Sequence, residues 1–352
     1  MRNFIICFIL IIISPWSCIS GGNNIILDSV FENAAHLSAS DTIFRISHET
    51  PPYAVYVYGD SLMVMWMYNS AEYGHIYSFY NFDDLAHPTP YLAYGASDDK
   101  FLSGLLFRHR DTLVSFDVIK QRIAVTDVGL AAANPRYYTP EIKNINFSSQ
   151  FFIPFRNGLL CLNPDCFPEP EQEFRKDGPR FYTVDSTFVR QSVSEYNSNT
   201  VNVVTGVFDI NWEKGRIIYA DNDINLIEVY DTDLRLVRTL TGVTKYPPKY
   251  AFFEIDGIRT FAYHGHVSET YKDMATTADF VYCCFLNTVS KEDKDRDEFK
   301  SYILKLDWDG NIAASYSIDM YAKTISVSKD NKHLYVYGLD SDGNSVVRYS
   351  LQ

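Results

Sequence analysis

The sequence predicts an all-β fold: a six-bladed β-propeller whose last blade is closed by a strand from near the N-terminus. Three observations lead there. Short apolar runs alternate with polar positions along most of the 352 residues, and clusters of Asp, Asn and Gly separate them. The runs group into units of roughly 45 residues with three or four strands each, the period of a propeller blade. Tyr (26 residues) and Phe (24 residues) are abundant, and such rings favour a pleated surface. No long amphipathic helix pattern interrupts the series. Two layered β-sandwiches are the competing arrangement for so many strands.

The units follow one grammar. The first has strands near 53–58, 61–68 and 75–80, and the second near 102–107, 112–116 and 122–126. The third has 150–155, 158–161, 180–184 and 188–193. The fourth is the clearest: 203–210, 216–220, 225–230 and 234–240, joined by turns rich in Asp, Asn and Gly. The fifth is expected at 259–266, 279–285, 302–306 and 312–317, and the sixth at 323–327, 333–337 and 346–349. That last unit is one strand short. Residues 42–47 read as a strand ahead of the first unit, and a ring must close or expose its edges. The simplest closure lends 42–47 to the last blade.

The first residues read as an export signal. Arg2 precedes an apolar run at 4–13, too short to span a bilayer, and Ser17-Cys18 follows. Lipidation of Cys18 is the expectation, although Pro15 stands where an aliphatic residue is usual. Ordinary cleavage near Ser20 and Gly21, discarding Cys18, is the alternative. The chain then divides into a signal peptide at 1–17, a tether at 18–40 and a single propeller domain at 41–352. A formal net charge of −13 argues against nucleic-acid partners and anionic membrane surfaces. Membrane contact is expected through the lipid alone.

The last third resembles a known group. Ala278-Asp279-Phe280-Val281-Tyr282 resembles the "T-D-x-I-Y" strand opening of the TolB-like six-bladed propeller lipoproteins of Bacteroidetes. Lys305-Leu306-Asp307-Trp308-Asp309-Gly310-Asn311 is similar to their "V-F-D-W-D-G-N" hairpin. Leu334-Tyr335-Val336-Tyr337-Gly338 matches a closing strand. Asp98-Asp99 stands in place of the Gly-Pro of their "G-P-x-E-F" loop, ahead of Phe101. The resemblance implies a six-bladed ring on an exported lipoprotein of the cell envelope, in the periplasm or at the outer membrane. It supplies no reaction and no ligand.

Candidate chemistry is sparse. Asp307-Trp308-Asp309-Gly310 and Asp340-Ser341-Asp342-Gly343 start like calcium loops, but no late Glu follows, so both read as hairpin turns and no metal is expected. His264 and His266 lie two apart and share one face of a strand, expected to be the innermost of the fifth blade. Two imidazoles fall short of a catalytic zinc set. Cys161 and Cys166 flank a turn-like segment that permits a disulfide in an oxidising compartment. Cys283 and Cys284 point to opposite faces of a strand and read as buried free thiols. Nucleophile-elbow, zincin, dinucleotide and P-loop motifs are absent, and no cofactor is expected.

Three long segments, 163–179, 245–253 and 290–300, are expected on one face of the disc. Tyr246, Tyr250, Phe252, Phe253 and Phe174, with His264 and His266, form the expected binding surface, since exposed rings stack on sugars or grip peptides. The sequence thus points to a binding or scaffolding module for a protein, peptide or glycan. The alternative is a propeller enzyme, a metal-dependent lactonase or glycan lyase, with its site at the channel mouth.

Overall fold

A computed structural model describes residues 25–46, 51–67, 69–134, 138–145, 151–162, 180–184, 190–191, 206–246, 250–255, 258–263, 267–289 and 300–351. Only the backbone is described at 25–26, 190–191, 250–255, 258–263 and 287–289.

Six antiparallel sheets radiate as blades, each named here from its innermost strand outward. Blade 1 is β4 (Ala54–Tyr58), β5 (Leu62–Trp66), β6 (His75–Asn81) and β7 (Asp84–Ala93). Blade 2 is β8 (Leu105–His109), β9 (Thr112–Asp117), β10 (Arg122–Asp127) and β11 (Glu141–Asn144). Blade 3 is β12 (Phe152–Phe155), β13 (Gly158–Leu162), β14 (Phe181–Val184) and β15 (Arg190–Gln191). Blade 4 is β16 (Gly206–Asn211), β17 (Arg216–Asp221), β18 (Leu226–Asp231) and β19 (Leu236–Thr241). Blade 5 is β22 (Ser268–Thr276), β23 (Phe280–Val289), β24 (Ser301–Asp307) and β25 (Ile312–Ile318). Blade 6 is β26 (Tyr321–Val327), β27 (His333–Asp340), β28 (Gly343–Ser350) and, from the other end of the chain, β3 (Ala39–Arg45).

The closing strand is where the sequence put it. β3 pairs antiparallel with β28, Phe44 opposite Val346 and Thr42 opposite Val347. Hydrophobic clusters confirm a closed ring, because each of the six seams between neighbouring blades has its own buried core. Two layered sandwiches would bury one shared core each, so that arrangement is excluded. The seam between blades 6 and 1 is also stitched by hydroxyls. Thr324 Oγ1 donates to the Val55 carbonyl at 2.6 Å, and Ser326 Oγ accepts from the Val57 amide at 2.9 Å.

The residue pattern explains the layers. β4 and β18 are buried on both faces because blades flank them, so they read as nearly continuous apolar runs. Outer strands face water on their free edge, and β3 is mostly exposed. On the outer edge of blade 1, β7 carries Pro88 and Pro90, which lack the N–H that would template another strand. Gly338 is required by space: a Cβ there would lie 2.2 Å from the Tyr321 carbonyl oxygen.

Two expectations are corrected. Residues 25–37, expected within the tether, are packed onto the ring. β1 (Ile25–Ile26) adds in parallel to β19, and α1 (Asp28–Glu32) sits over the seam between blades 4 and 5. There Phe31 stacks on Phe285, with ring centroids 4.2 Å apart. β2 (Ala35–His36) then adds in parallel to β25. Apolar Leu27 and Phe31 drive this docking: both are buried, and covering such side chains is worth roughly 1.5–3 kcal/mol each.

The second correction concerns blade 5. Its innermost strand is β22, not 259–266. Most of that stretch belongs to an extra hairpin, β20 (Tyr250–Ile255) with β21 (Ile258–Tyr263), between blades 4 and 5. Sequence pattern does not mark β22, because Glu269, Lys272 and Asp273 interrupt its apolar run. An axial strand tolerates them: Asp273 is buried but accepts the Ile325 amide at 2.8 Å.

Candidate functional site

The antiparallel order fixes two faces. First-to-second strand turns meet around the axis on one face, here the hairpin face. Segments 163–179 and 290–300 connect strand ends on the opposite face, and residue 245 follows the end of β19 there. A cavity of about 240 Å³ opens on the hairpin face. Gly59, Arg110, Asp111, Glu213, Ala278 and Lys329 line it, contributed by the first turns of blades 1, 2, 4, 5 and 6. This is the mouth of the central channel.

Arg108 forms its floor. The side chain leaves β8 and reaches across the axis, where its guanidinium donates to the Ile325 carbonyl at 2.9 Å, Ser326 Oγ at 3.0 Å and the Met274 carbonyl at 2.5 Å. It also lies 4.5 Å over the Tyr56 ring. One residue of blade 2 thus braces blades 1, 5 and 6. Arg108 borders a second axial cavity as well, about 180 Å³, walled by Tyr56, Phe107, Asp209, Asp273 and Thr324. Burial pushes the Asp273 carboxyl up to about 6, against the pull of Arg108.

Beside this floor, Asp209 joins blades 2, 4 and 5. His109 Nδ1 lies 2.5 Å from Asp209 Oδ1, and the Thr276 hydroxyl donates to Oδ2. Burial alone would raise this carboxyl. His109, Thr276 and the Ile210 amide together hold it below its ordinary value. The order of contacts matters. In a nucleophilic triad the imidazole stands between hydroxyl and carboxylate. Here the carboxylate stands between, so His109 is bonded to Asp209 and not to the Thr276 hydroxyl. Among the described residues, no three His, Cys, Asp or Glu side chains converge as metal ligands.

The Asp-Gly segments form turns. Asp307 Oδ1 accepts the Asp309 and Asn311 amides at 3.0 and 2.8 Å, and Gly310 takes a left-handed φ of 78°. Asp340 Oδ1 accepts the Asp342 amide in the same way.

Of the residues singled out from sequence, Cys18, Cys166, Phe174, His264 and His266 lie outside the described residues. Tyr250, Phe252 and Phe253 fall on β20, where only the backbone is described. Tyr246 is half-buried, and its amide donates to Ser268 Oγ at 2.9 Å. Cys161 is buried in β13. Cys283 and Cys284 are buried free thiols on opposite faces of β23, in the cores of two different seams. The sequence does not bring the mouth residues together. A signal existed: Arg108-His109-Arg110-Asp111 is a charged run at the end of an apolar strand. Nothing in the sequence pairs His109 with Asp209, one hundred residues away.

No family model matches the chain, and no curated protein matches it. Its fold is similar to that of a member of the DUF4221 family from Bacteroides vulgatus, with a TM-score of 0.55 and 10% identity. That match covers 91% of this chain and 98% of the other. A candidate exported protein from Bacteroides fragilis gives a TM-score of 0.47 at 9% identity, covering 93% and 97%. The β-propeller domain of Swd1 from Myceliophteria thermophila gives 0.42 at 10%, covering 90% and 100%. Identities this low speak to the fold alone.

Proposed function

We propose that the chain is an exported, lipid-anchored ring of the TolB-like kind, a binding or scaffolding module for a protein, peptide or glycan of the bacterial envelope. The state of the mouth carries this reading. A shaped cavity is present, but Arg108, Asp209, His109 and Thr276 are already committed to protein partners. Side chains so engaged brace the ring under the cavity rather than stand poised for proton transfer, which needs a base within reach of substrate. The role calls for no cofactor. The opposite face, with Tyr246 and the β20–β21 hairpin, is the second contact surface in this proposal.

The test is a panel of short peptides and envelope glycan fragments. A ligand is expected to raise the melting temperature by binding the native state alone. Lys329→Ala, at the exposed rim, is expected to abolish the rise with little change in the melting temperature of the free protein, since its pair with Asp111 is exposed. Chemical conversion of a panel member, lost in Asp209→Asn, would instead establish an enzyme of the lactonase or lyase kind. For the anchor, Cys18→Ala is expected to move the protein from the membrane fraction to the soluble fraction. Unchanged membrane retention would remove the lipid from the proposal.

A further inference from the structure

We propose that the mouth and a neighbouring groove form one trough that captures the C-terminal end of an extended peptide, its carboxylate seated between Arg110 and Lys329. The inference rests on the binding reading of the mouth and names the ligand class.

The groove holds about 470 Å³ and runs outward over the seam between blades 1 and 2. Tyr58, Gly59, Asp111 and Lys329 border both spaces. The only ion pair across this shared border, among the described residues, is Lys329 to Asp111 at 2.7 Å. Their side chains are 75% and 56% exposed, so water screens the pair and an incoming anion competes for Lys329.

Two groups await a partner. The Tyr58 hydroxyl is buried without a hydrogen bond, which native structures seldom leave unexplained. The Tyr58 residue borders mouth and groove alike. Arg110 is exposed and makes no hydrogen bond or ion pair among the described residues. Its backbone takes φ of 51°, a conformation unusual for a residue with a Cβ, at the turn that carries it into the mouth.

Three features select the occupant. Arg108 spans the axis, so a chain lying in the trough cannot thread through and has to end there. Arg108, Arg110 and Lys329 outnumber Asp111 and Glu213 at that end, which suits a terminal carboxylate over an amine. The outer half offers Leu62, Val128, Ala132 and Ala133 beside Ser61 and Asn81. Small apolar contacts with amide-bonding groups suit a peptide. Sugars prefer an open aromatic face, and Tyr58, the one ring of this border, is only 8% exposed.

The probe is a library of random synthetic pentapeptides, labelled at the N-terminus, with either a free C-terminal carboxylate or a C-terminal amide. Fluorescence polarisation with the full chain is expected to select sequences from the free-acid library, with amidation weakening them at least tenfold. Arg110→Asn tolerates the same backbone conformation and is expected to weaken binding at least tenfold. Arg110→Lys should restore part of it, and melting temperatures should stay at the wild-type value. Equal binding of acid and amide peptides, or unaltered affinity in Arg110→Asn, overturns the proposal. So does an absence of peptide binding while a glycan fragment still binds the mouth, an outcome that leaves the binding reading standing. Cleavage of a captured free-acid peptide, lost in Asp209→Asn, supports the capture and overturns the non-enzymatic reading instead.

Discussion

A chain from which residues 1–46 are removed is expected to lose the folded monomer altogether. The truncation strips β3 from β28 and leaves the backbone groups of blade 6 unpaired along its outer edge. It uncovers Val347 and removes Phe44, whose ring lies 5.5 Å from that of Tyr80. It also removes Ile46 from the seam between blades 6 and 1, and Leu27, Phe31 and Leu37 from the two seams beside blade 5. Several buried apolar side chains at roughly 1.5–3 kcal/mol each rival the typical 5–15 kcal/mol stability of a whole domain. The exposed edge then invites pairing between molecules. Size-exclusion chromatography with near-ultraviolet circular dichroism checks this. A truncated monomer with wild-type signal and melting temperature would show that the ring stays shut without its borrowed strand.

The Arg180→Ala protein is expected to be destabilised by about 3–5 kcal/mol, the cost of stranding buried charge. Arg180 lies between blades 3 and 4, with its guanidinium 3.0 Å from Glu228 Oε2 and 3.8 Å from Asp221. It stacks over Tyr219 at 4.3 Å, and Tyr230 donates to Glu228 at 2.5 Å. All of these side chains are buried. Burial raises the Asp221 carboxyl from the ordinary 3.8 to about 7, with Arg180 opposing. A carboxyl raised by folding adds stability in its neutral form below pH 3.8. That contribution fades as pH climbs through 7. Asp221→Asn removes the loss, so its stability relative to wild type is expected to rise between pH 5 and pH 8. Chemical denaturation at several pH values measures both effects. A denaturation midpoint unchanged in Arg180→Ala, or a pH-independent difference for Asp221→Asn, would contradict the account.

Blade 4 was legible almost strand by strand, because Glu213-Lys214-Gly215 and Asp231-Thr232-Asp233 are strong turn signals between apolar runs. Blade 5 was not. Its axial strand carries Lys272 and Asp273, while the more strand-like stretch at 258–263 folds outside the blade. Sequence pattern reports burial on flanking faces, and an axial strand faces a channel where charges are tolerated. The belt at 25–37 was missed because its elements are two to five residues long, too short for periodicity. The mouth was hidden for another reason. It is assembled from turns of five blades, and turn residues such as Arg110 and Lys329 look like ordinary solvated positions until the ring brings them together.

Ser40 and Ser350 hydrogen-bond to each other at a separation of 310 residues. The earlier segment must therefore wait for a partner made 310 residues later before its pairing exists. Five blades can consolidate in the meantime against their neighbours, but the final latch forms by joining β3 to β28, strands far apart in the sequence. Such distant pairing slows folding. During synthesis, the unfinished ring presents two open blade edges that a holding factor would have reason to shield.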